Sequence, residues 1–351
     1  MSQANQESME RLRLTSYLVG ARLLAPASVI IFDVGCSGGF GSQWDAFGPA
    51  LDGVGFDPLE AEIDRLRKRE KRANIRYEAA YVGLSARQLR DKEVYFASVW
   101  PPESYYEDYF ARSSGIRAAQ LTSFNYEKQI FNSGAALKYA ESRFSIDEYV
   151  AKTGLLPDMI KSDTDGFDIE VLMGAEHTLS SVLGVQAECT FNASASRYAN
   201  TFANVDRFLR VKGFAVFDLQ PMRYSRAALP ATFQYDIFAS TTTGAVTWSD
   251  VLFFRDLARD ECETVFGLHI TPERVLKMAA LMELYGLPDC AAELLIKRAD
   301  RLPYDVNEML DLLVPDHLGP NLSYREYIRR FEADPKALFP SHSLKKAGCA
   351  E

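Results

Sequence analysis

The residues whose types could do chemistry stand where apolar stretches of the sequence end. Asp33 closes the stretch Ile30-Ile31-Phe32, and a loop of small residues follows it. That loop, residues 35–41, holds four glycines together with Cys36 and Ser37. Glycines let the backbone approach a ligand closely and adopt positive φ. A buried strand, a tight turn and a helix start in this order are the local geometry of a nucleotide-type cofactor site.

The position of the acid distinguishes among nucleotide-type cofactors. No Gly-Lys-Ser/Thr follows the glycines, so the loop is not a P-loop, and Asp33 precedes the first glycine, unlike the acid of the dinucleotide fingerprint. An acid at this place suits a cofactor with a cationic amino-acid end, which indicates S-adenosylmethionine. Asp57 follows Asp33 by roughly 20 residues, the spacing of an acid that binds both ribose hydroxyls.

We therefore predict a cofactor site on three neighbouring strand ends, with small residues after the third strand packing the adenine. Its predicted residues are Asp33, Gly35, Cys36, Ser37, Gly38, Asp57, Pro58, Ala79 and Ala80. Each has a plainer explanation as well, because Asp57-Pro58 is often a turn and Asp33 could simply end a strand. Their order along the chain favours the cofactor.

A second polar cluster follows the apolar pair Met159-Ile160. Lys161 and Asp163 alternate along a predicted strand and point to the same face, and Asp165 comes two residues later. Methyl transfer to a hydroxyl needs the acceptor proton removed, so we predict Lys161, Asp163 and Asp165 as catalytic residues. Alternatively, Asp163 and Asp165 hold Mg²⁺. Asp168 is expected to cap the next helix.

Residues that contact the methyl acceptor are predicted in three places. Glu188 lies inside an apolar strand, where a charge is costly unless it is paired or at a ligand. Trp100 and Tyr105 belong to the aromatic segment 95–110, which either covers the site or packs the sheet edge. Tyr224 completes the set. Glu188 could instead be an edge residue paired with an arginine.

Strands alternating with helices must position these residues. The candidate strands are 28–33, 54–57, 75–78, 159–163, 182–191, 215–219 and 251–255, with helices predicted at 59–71, 145–152, 169–179 and 204–212. This alternation predicts an α/β fold: a Rossmann-like, mostly parallel seven-stranded sheet with helices on both faces.

The pattern divides the chain into two domains. Residues 1–256 form the sheet domain, with an N-terminal helix over 7–24 and an aromatic insertion near 84–144. Residues 257–351 form an all-α appendage whose last residues, 341–351, are predicted to be disordered. The appendage is a candidate for homo-oligomer formation or for recruiting a partner.

Composition restricts the location and the partners. A net charge of −9 argues against a nucleic-acid partner. The five cysteines are scattered without a CxxC pair, which favours a reducing compartment, and no apolar run approaches the roughly 18–20 residues of a membrane span. We expect a cytoplasmic protein that acts on a small-molecule or glycan acceptor.

Together these motifs resemble the FkbM branch of class I S-adenosylmethionine-dependent methyltransferases. Residues 31–35 and the glycines after them are similar to motif I of that class. Residues 160–168 are similar to the Lys-x-Asp-x-acid-Gly-x-acid pattern of the family, and 171–175 to its Val-Leu-x-Gly-Ala helix. Further similar segments are 143–149, 188–191, 202–209 and 212–214. The resemblance covers roughly residues 28–256.

The resemblance implies a seven-stranded, mostly parallel sheet with one antiparallel strand, and O-methylation of a sugar, glycan or natural-product hydroxyl. The residues carried over are Asp33, Gly35 and Asp57 for the cofactor, and Lys161, Asp163 and Asp165 for the acceptor. Asp165 and Asp168 stand where the family commonly has glutamates, which leaves metal binding and the identity of the base open. Two alternatives to a methyltransferase are a nicotinamide-dependent oxidoreductase, although Gly-x-Gly-x-x-Gly is missing, and a non-catalytic scaffold acting through its helical region.

Overall fold

The computed structural model describes residues 12–24, 28–85, 140–164, 166–191, 199–225, 240–318 and 322–338. The chain forms two compact units, one of residues 27–269 and one that joins residues 1–26 to 270–351. Four sequence-based predictions lie outside the described residues: the roles of Trp100, Tyr105 and Asp165, and the disorder of 341–351. The same is true of most of the predicted insertion near 84–144.

The strands of the first unit build one large sheet and one small one. In chain order they are β1 (Val29–Val34), β2 (Leu51–Asp57), β3 (Ile75–Ala79), β4 (Tyr81–Val82), β5 (Arg143–Phe144), β6 (Met159–Ser162), β7 (Gly184–Thr190), β8 (Phe214–Tyr224) and β9 (Ala245–Arg255). The large sheet has the order β3-β2-β1-β6-β7-β9-β8, and β4 pairs with β5. Within the large sheet β9 runs opposite to the other six strands. The predicted seven-stranded, mostly parallel sheet is therefore confirmed.

Five of the helices in the described part of the chain begin at a residue whose side chain caps them. In chain order the helices are α1 (Arg13–Gly20), α2 (Glu60–Arg69), α3 (Ile146–Thr153), α4 (Asp168–Met173), α5 (Phe202–Arg210), α6 (Glu261–Thr264), α7 (Pro272–Leu284), α8 (Pro288–Lys297), α9 (Val306–Leu313), α10 (Tyr324–Ala333) and α11 (Pro335–Leu338). Ser145 and Glu148 form a capping box at the start of α3, which ends at Gly154 in the left-handed conformation. Thr271 caps α7 ahead of Pro272.

Alternation along β1 places Phe32 in an aromatic cluster on one face of the large sheet. The Phe32 ring packs edge-on against Phe56 and Tyr149, with centroids 5.6 and 5.5 Å away. Ile160 of β6 is the register partner of Phe32 and belongs to the same buried cluster. Because successive side chains of a strand point to opposite faces, Asp33 must lie on the other face.

The second unit is helical and includes the N-terminal helix. Glu283 of α7 accepts hydrogen bonds from the Leu14 and Thr15 amides at 3.0 and 2.7 Å and from the Thr15 hydroxyl at 2.7 Å. The sequence-based division groups this N-terminal helix with the sheet, whereas these contacts join α1 to α7. No helix in the described part of the chain is both long enough and apolar enough to cross a membrane.

Candidate active site at the carboxyl edge of the sheet

Strand register brings polar residues of the predicted cofactor and acceptor clusters side by side. Asp33 of β1 pairs with Lys161 of β6, and Lys161 pairs with Gln186 of β7. Paired residues of neighbouring strands project from the same face of the sheet. Asp33 and Lys161 were assigned from separate motifs, and the fold places them in one row.

A second row lies one step further toward the carboxyl ends of the parallel strands. Asp57 and Glu188 lie two residues beyond the first row within β2 and β7 and therefore on the same face, and Gly35 and Asp163 directly follow β1 and β6. Glu188 pairs with Asp250 of the antiparallel strand β9. Ligands of open α/β sheets bind outside this edge, so the row is the natural candidate site.

Lys161 connects the two rows electrostatically. Its Nζ donates to Asp33 Oδ1 at 3.1 Å and lies 3.6 Å from Asp163 Oδ2. Burial raises the pKa of Asp33, an effect that the Lys161 ammonium opposes. Burial alone would lower the pKa of Lys161, but the charges of Asp33, Asp163 and Asp250 outweigh it and raise that pKa. Lys161 therefore keeps its proton and is a poor base.

The loop after β1 leaves no room for a side chain where it crosses β6. Gly35 has φ +80°, and a Cβ there would collide with the carbonyl oxygen of Asp163. The amides of Gly35 and Cys36 both donate to the carbonyl oxygen of Phe56, at 2.9 and 3.1 Å. Cys36 is buried, whereas Ser37 is exposed at the tip of the loop.

The rest of the loop is held by side chains from α2 and β3. The Gly38 amide donates to Glu62 Oε1 at 2.9 Å, and the Phe40 amide donates to the Tyr77 hydroxyl oxygen at 3.0 Å. The Gly39 amide donates to a carbonyl oxygen within the turn. Five of the six N–H groups of residues 35–40 thus donate within the chain. Neither Glu62 nor Tyr77 was predicted from the sequence.

The predicted ribose and adenine residues lie at the ends of β2 and β3. Asp57 is mostly buried, and its Oδ1 accepts from the Leu59 amide at 2.8 Å, so one oxygen supports the turn into α2. Ala79 is its register partner, and the Ala80 amide donates to the Asp57 carbonyl oxygen at 3.0 Å. Pro58 lies between β2 and α2. Asp57 therefore has a structural role in this turn, and its role in binding the ribose stays a prediction.

Asp250 is a site residue that the sequence reasoning missed. Burial raises its pKa to about 6, and the negative charge of Asp163 adds to that rise while Lys161 opposes it. Asp250 directly precedes the apolar run 251–254 of the same strand, and a carboxylate next to a buried run is the signal that could have identified it. The predicted strand began at Val251, six residues after the observed start at Ala245, and therefore left Asp250 out.

Asp168 does not fulfil its expected role as a helix cap. It is the first residue of α4 and fully buried, and its carboxylate accepts from the Ser162 hydroxyl at 2.6 Å and from Asn200 Nδ2 at 3.1 Å. Asn200 Nδ2 also donates to the Glu188 carbonyl oxygen at 2.8 Å. Burial raises the pKa of Asp168 to about 7. This network connects β6, α4 and β7 and reaches the second row through the Glu188 carbonyl oxygen.

Two sequence-based predictions remain: Tyr224 as an acceptor residue and a Mg²⁺ site. Tyr224 is buried near the end of β8, where its hydroxyl oxygen accepts from Trp248 Nε1 at 3.1 Å. In the described part of the chain, no group of three or more His, Cys, Asp or Glu side chains is arranged to hold a metal ion. Asp165, the second predicted Mg²⁺ ligand, lies outside that part.

The strand order and the single antiparallel strand are those of the Rossmann-like methyltransferase fold. Solved structures similar to the chain include precorrin-6Y C5,15-methyltransferase from Geobacter metallireducens, with 10% identity, 68% of this chain and 86% of that chain covered and a TM-score of 0.30. A TehB-like S-adenosylmethionine-dependent methyltransferase from Corynebacterium glutamicum shows 11% identity, 69% and 87% coverage and a TM-score of 0.27.

A third similar structure is magnesium protoporphyrin IX methyltransferase from Synechocystis with bound S-adenosylmethionine, with 11% identity, 71% and 79% coverage and a TM-score of 0.27. No protein-family model matches the chain, and no curated protein matches it. These similarities are distant.

Proposed function

We propose that the chain is an S-adenosylmethionine-dependent methyltransferase that methylates a hydroxyl of a small molecule, sugar or glycan. The observation that carries the proposal is the loop at residues 35–40, whose N–H groups are largely taken up by acceptors of the chain itself. The carboxylates of Asp33, Asp57 and Glu62 lie around that loop, with Asp33 paired to Lys161 and Glu62 paired to Arg65, and acidic surroundings of this kind suit a cofactor with a sulfonium and an ammonium group better than a phosphate.

The same loop argues against a nicotinamide dinucleotide. A pyrophosphate binds to free backbone N–H groups at the N-terminus of an α-helix. Here the Gly38 amide already donates to a carboxylate, and the segment after the loop is a 3₁₀-helix, Ser42–Ala50, broken at Gly48. An incoming pyrophosphate would have to displace the Glu62 carboxylate, which is also paired with Arg65, from the Gly38 amide.

Asp163 is the best candidate for the acceptor base. Its side chain is 49% exposed, while Lys161 beside it holds its proton. When bound, S-adenosylmethionine supplies a methyl group that breaks from sulfur as it bonds to the acceptor oxygen. Asp163 would accept the hydroxyl proton, and Glu188 and Asp250 would accept hydrogen bonds from neighbouring hydroxyls. Holding the acceptor in line accounts for much of the rate, since orientation is worth roughly 7–11 kcal/mol.

A divalent cation is a weaker part of the proposal. The Lys161 ammonium already compensates the charge of Asp163 at 3.6 Å, so a Mg²⁺ ion would compete with it there. The assignment to the FkbM branch rests on the sequence motifs. A cytoplasmic location and self-association through the C-terminal helices likewise stay predictions of the sequence.

Isothermal titration calorimetry of the full chain with S-adenosylhomocysteine and with NAD⁺ tests the proposal. We expect S-adenosylhomocysteine to bind and NAD⁺ not to bind, and Asp57→Ala to weaken the former through loss of the ribose contacts. Arg76→Ala is the control, because Arg76 pairs with Asp52 at 2.7 Å on an exposed part of β3. Binding of NAD⁺ in place of S-adenosylhomocysteine would refute the proposal in favour of an oxidoreductase.

Variants of the acceptor-side residues distinguish an enzyme from a scaffold that binds the cofactor without using it. If the protein methylates an acceptor, Asp163→Asn should abolish turnover while S-adenosylhomocysteine binding persists. Should Asp163→Asn and Lys161→Ala both leave the biological function intact, the scaffold hypothesis would replace the enzyme.

A further inference from the structure

We propose that Glu62 and Tyr77 are positioning residues that fix the loop at residues 38–40 in the conformation that receives the methionine end of the cofactor. The inference rests on the proposed function and deepens it. Both side chains come from elements outside the loop, α2 and β3, and each accepts a hydrogen bond from a loop amide. They act through the backbone rather than on the ligand.

Tyr77 is itself held in one orientation by an ionic chain. Its hydroxyl donates to Glu70 Oε2 at 2.9 Å while accepting from the Phe40 amide. Arg72 donates to Glu70 at 2.7 Å and to the Phe40 carbonyl oxygen at 3.2 Å, and it pairs with Asp45 at 2.6 Å. Both polar groups of the Phe40 peptide backbone are therefore fixed from outside the loop.

The charge states of this chain suit a permanent support. Hydrogen bonds from Arg72 lower the pKa of Glu70 to about 2. Glu70 is therefore ionised at every ordinary pH and can accept the hydrogen bond from the Tyr77 hydroxyl. Burial raises the pKa of Tyr77 to about 12, so its hydroxyl stays neutral and can donate to Glu70 while accepting from Phe40.

Glu62 holds the other side of the turn. It is fully buried, and Arg65 compensates its charge through Nε at 2.6 Å and through Nη2. Gly38, whose amide donates to Glu62, has φ +89° and open space where a Cβ would stand. The buried carboxylate therefore fixes the direction of one peptide group next to open space at the edge of the sheet.

The position of the loop indicates which half of the cofactor depends on this support. The predicted ribose residue Asp57 and the predicted adenine residues Ala79 and Ala80 lie at the ends of β2 and β3. Residues 38–40 follow β1, whose Asp33 was assigned to the cationic amino-acid end. Loosening the loop should thus weaken ligands that carry that end more than ligands that lack it.

The test compares S-adenosylhomocysteine with 5′-methylthioadenosine, which lacks the amino-acid end, by calorimetry on the full chain. Tyr77→Phe should weaken S-adenosylhomocysteine roughly 3- to 10-fold, the value of one hydrogen bond, and change 5′-methylthioadenosine less than about 2-fold. Glu62→Ala should behave in the same way, and Glu62→Gln, which keeps an acceptor, should restore most of the affinity. Tyr17→Phe is the matched control, because Tyr17 donates to Glu308 at 3.2 Å in the other unit.

Each outcome decides the inference. Unchanged S-adenosylhomocysteine affinity in Tyr77→Phe, or equal weakening of both ligands, would overturn it while leaving the proposed function standing. Failure of the unmodified protein to bind S-adenosylhomocysteine would overturn both. Hydrogen exchange of the ligand-free protein adds a readout without a ligand, since the peptide covering residues 38–40 should exchange faster in Tyr77→Phe than in Tyr17→Phe.

Discussion

Replacing Lys161 by methionine should destabilise the sheet unit through the carboxylate of Asp33. At 3.1 Å and an effective dielectric constant of about 20, the attraction between these two charges is about 5 kcal/mol. Removing one partner of a buried ion pair typically costs roughly 3–5 kcal/mol. Because the Lys161 side chain is 20% exposed and Asp33 only 2%, water can solvate the vacated site in part. We expect a loss of about 3 kcal/mol.

The sign of the pH dependence follows from Asp33. Its pKa in the folded state is already raised by burial, and without the ammonium it should rise further. An acid with a raised folded-state pKa contributes stability below its unfolded pKa and loses that contribution as the pH rises through the folded value. The difference between Lys161→Met and the unmodified protein should therefore be larger at pH 8 than at pH 5.5.

Urea unfolding followed by tryptophan fluorescence measures the difference in the free energy of unfolding. The signal reports on the sheet unit, because Trp44, Trp100 and Trp248 all fall within residues 27–269. The double variant Asp33→Asn with Lys161→Met should recover most of the stability, since it removes the Asp33 charge together with its partner.

The matched single control for this experiment is Lys212→Met. The Lys212 side chain is 19% exposed, nearly the same fraction as that of Lys161. Its partner Glu176, whose Oε1 lies 3.5 Å from Lys212 Nζ, is 56% exposed. We expect this control to lose less than about 1 kcal/mol. A loss below about 1 kcal/mol in Lys161→Met, or one that is equal at both pH values, would refute the reasoning.

Three further predictions concern the loop, the helical unit and the buried network. In urea unfolding, Gly35→Ala should cost more than about 3 kcal/mol, because strain and a backbone collision combine there, whereas Gly38→Ala meets open space and should cost roughly 1–2 kcal/mol. In thermal melts followed by circular dichroism, Glu283→Ala should lose about 2 kcal/mol because three donors lose their acceptor, and the surface control Glu326→Ala should lose far less. The raised pKa of Asp168 predicts that stability falls as the pH rises through about 7, and Asp168→Asn should flatten that part of the curve.

The sequence predicted the elements better than their ends. Val54 was taken as the start of β2, whereas the strand begins at Leu51, because Asp52 and Gly53 interrupt the apolar pattern that marks a buried strand. β8 and β9 are each longer than predicted, because polar residues on a partly exposed face break the same pattern. The alternation of strands and helices does not give the direction of β9, and only the family resemblance implied an antiparallel strand.

The candidate site was predictable where local order along the chain decides it. Asp33, Gly35 and Asp57 follow strands at spacings that a parallel sheet converts into neighbours at one edge. Glu62 and Tyr77 were missed because a hydrogen bond from the loop to α2 or β3 has no local signature.

The arrangement around Lys161 changes how the acid at the end of β1 should be understood. A direct contact between Asp33 and a cationic ligand would require an exposed carboxylate, but Asp33 is buried and one of its oxygens already accepts from Lys161. The exposed acid of this group is Asp163, on the far side of the same ammonium. We therefore expect Asp33 to act on a bound ligand indirectly. It keeps Lys161 charged and in place, and Lys161 in turn holds Asp163 where an acceptor hydroxyl could reach it.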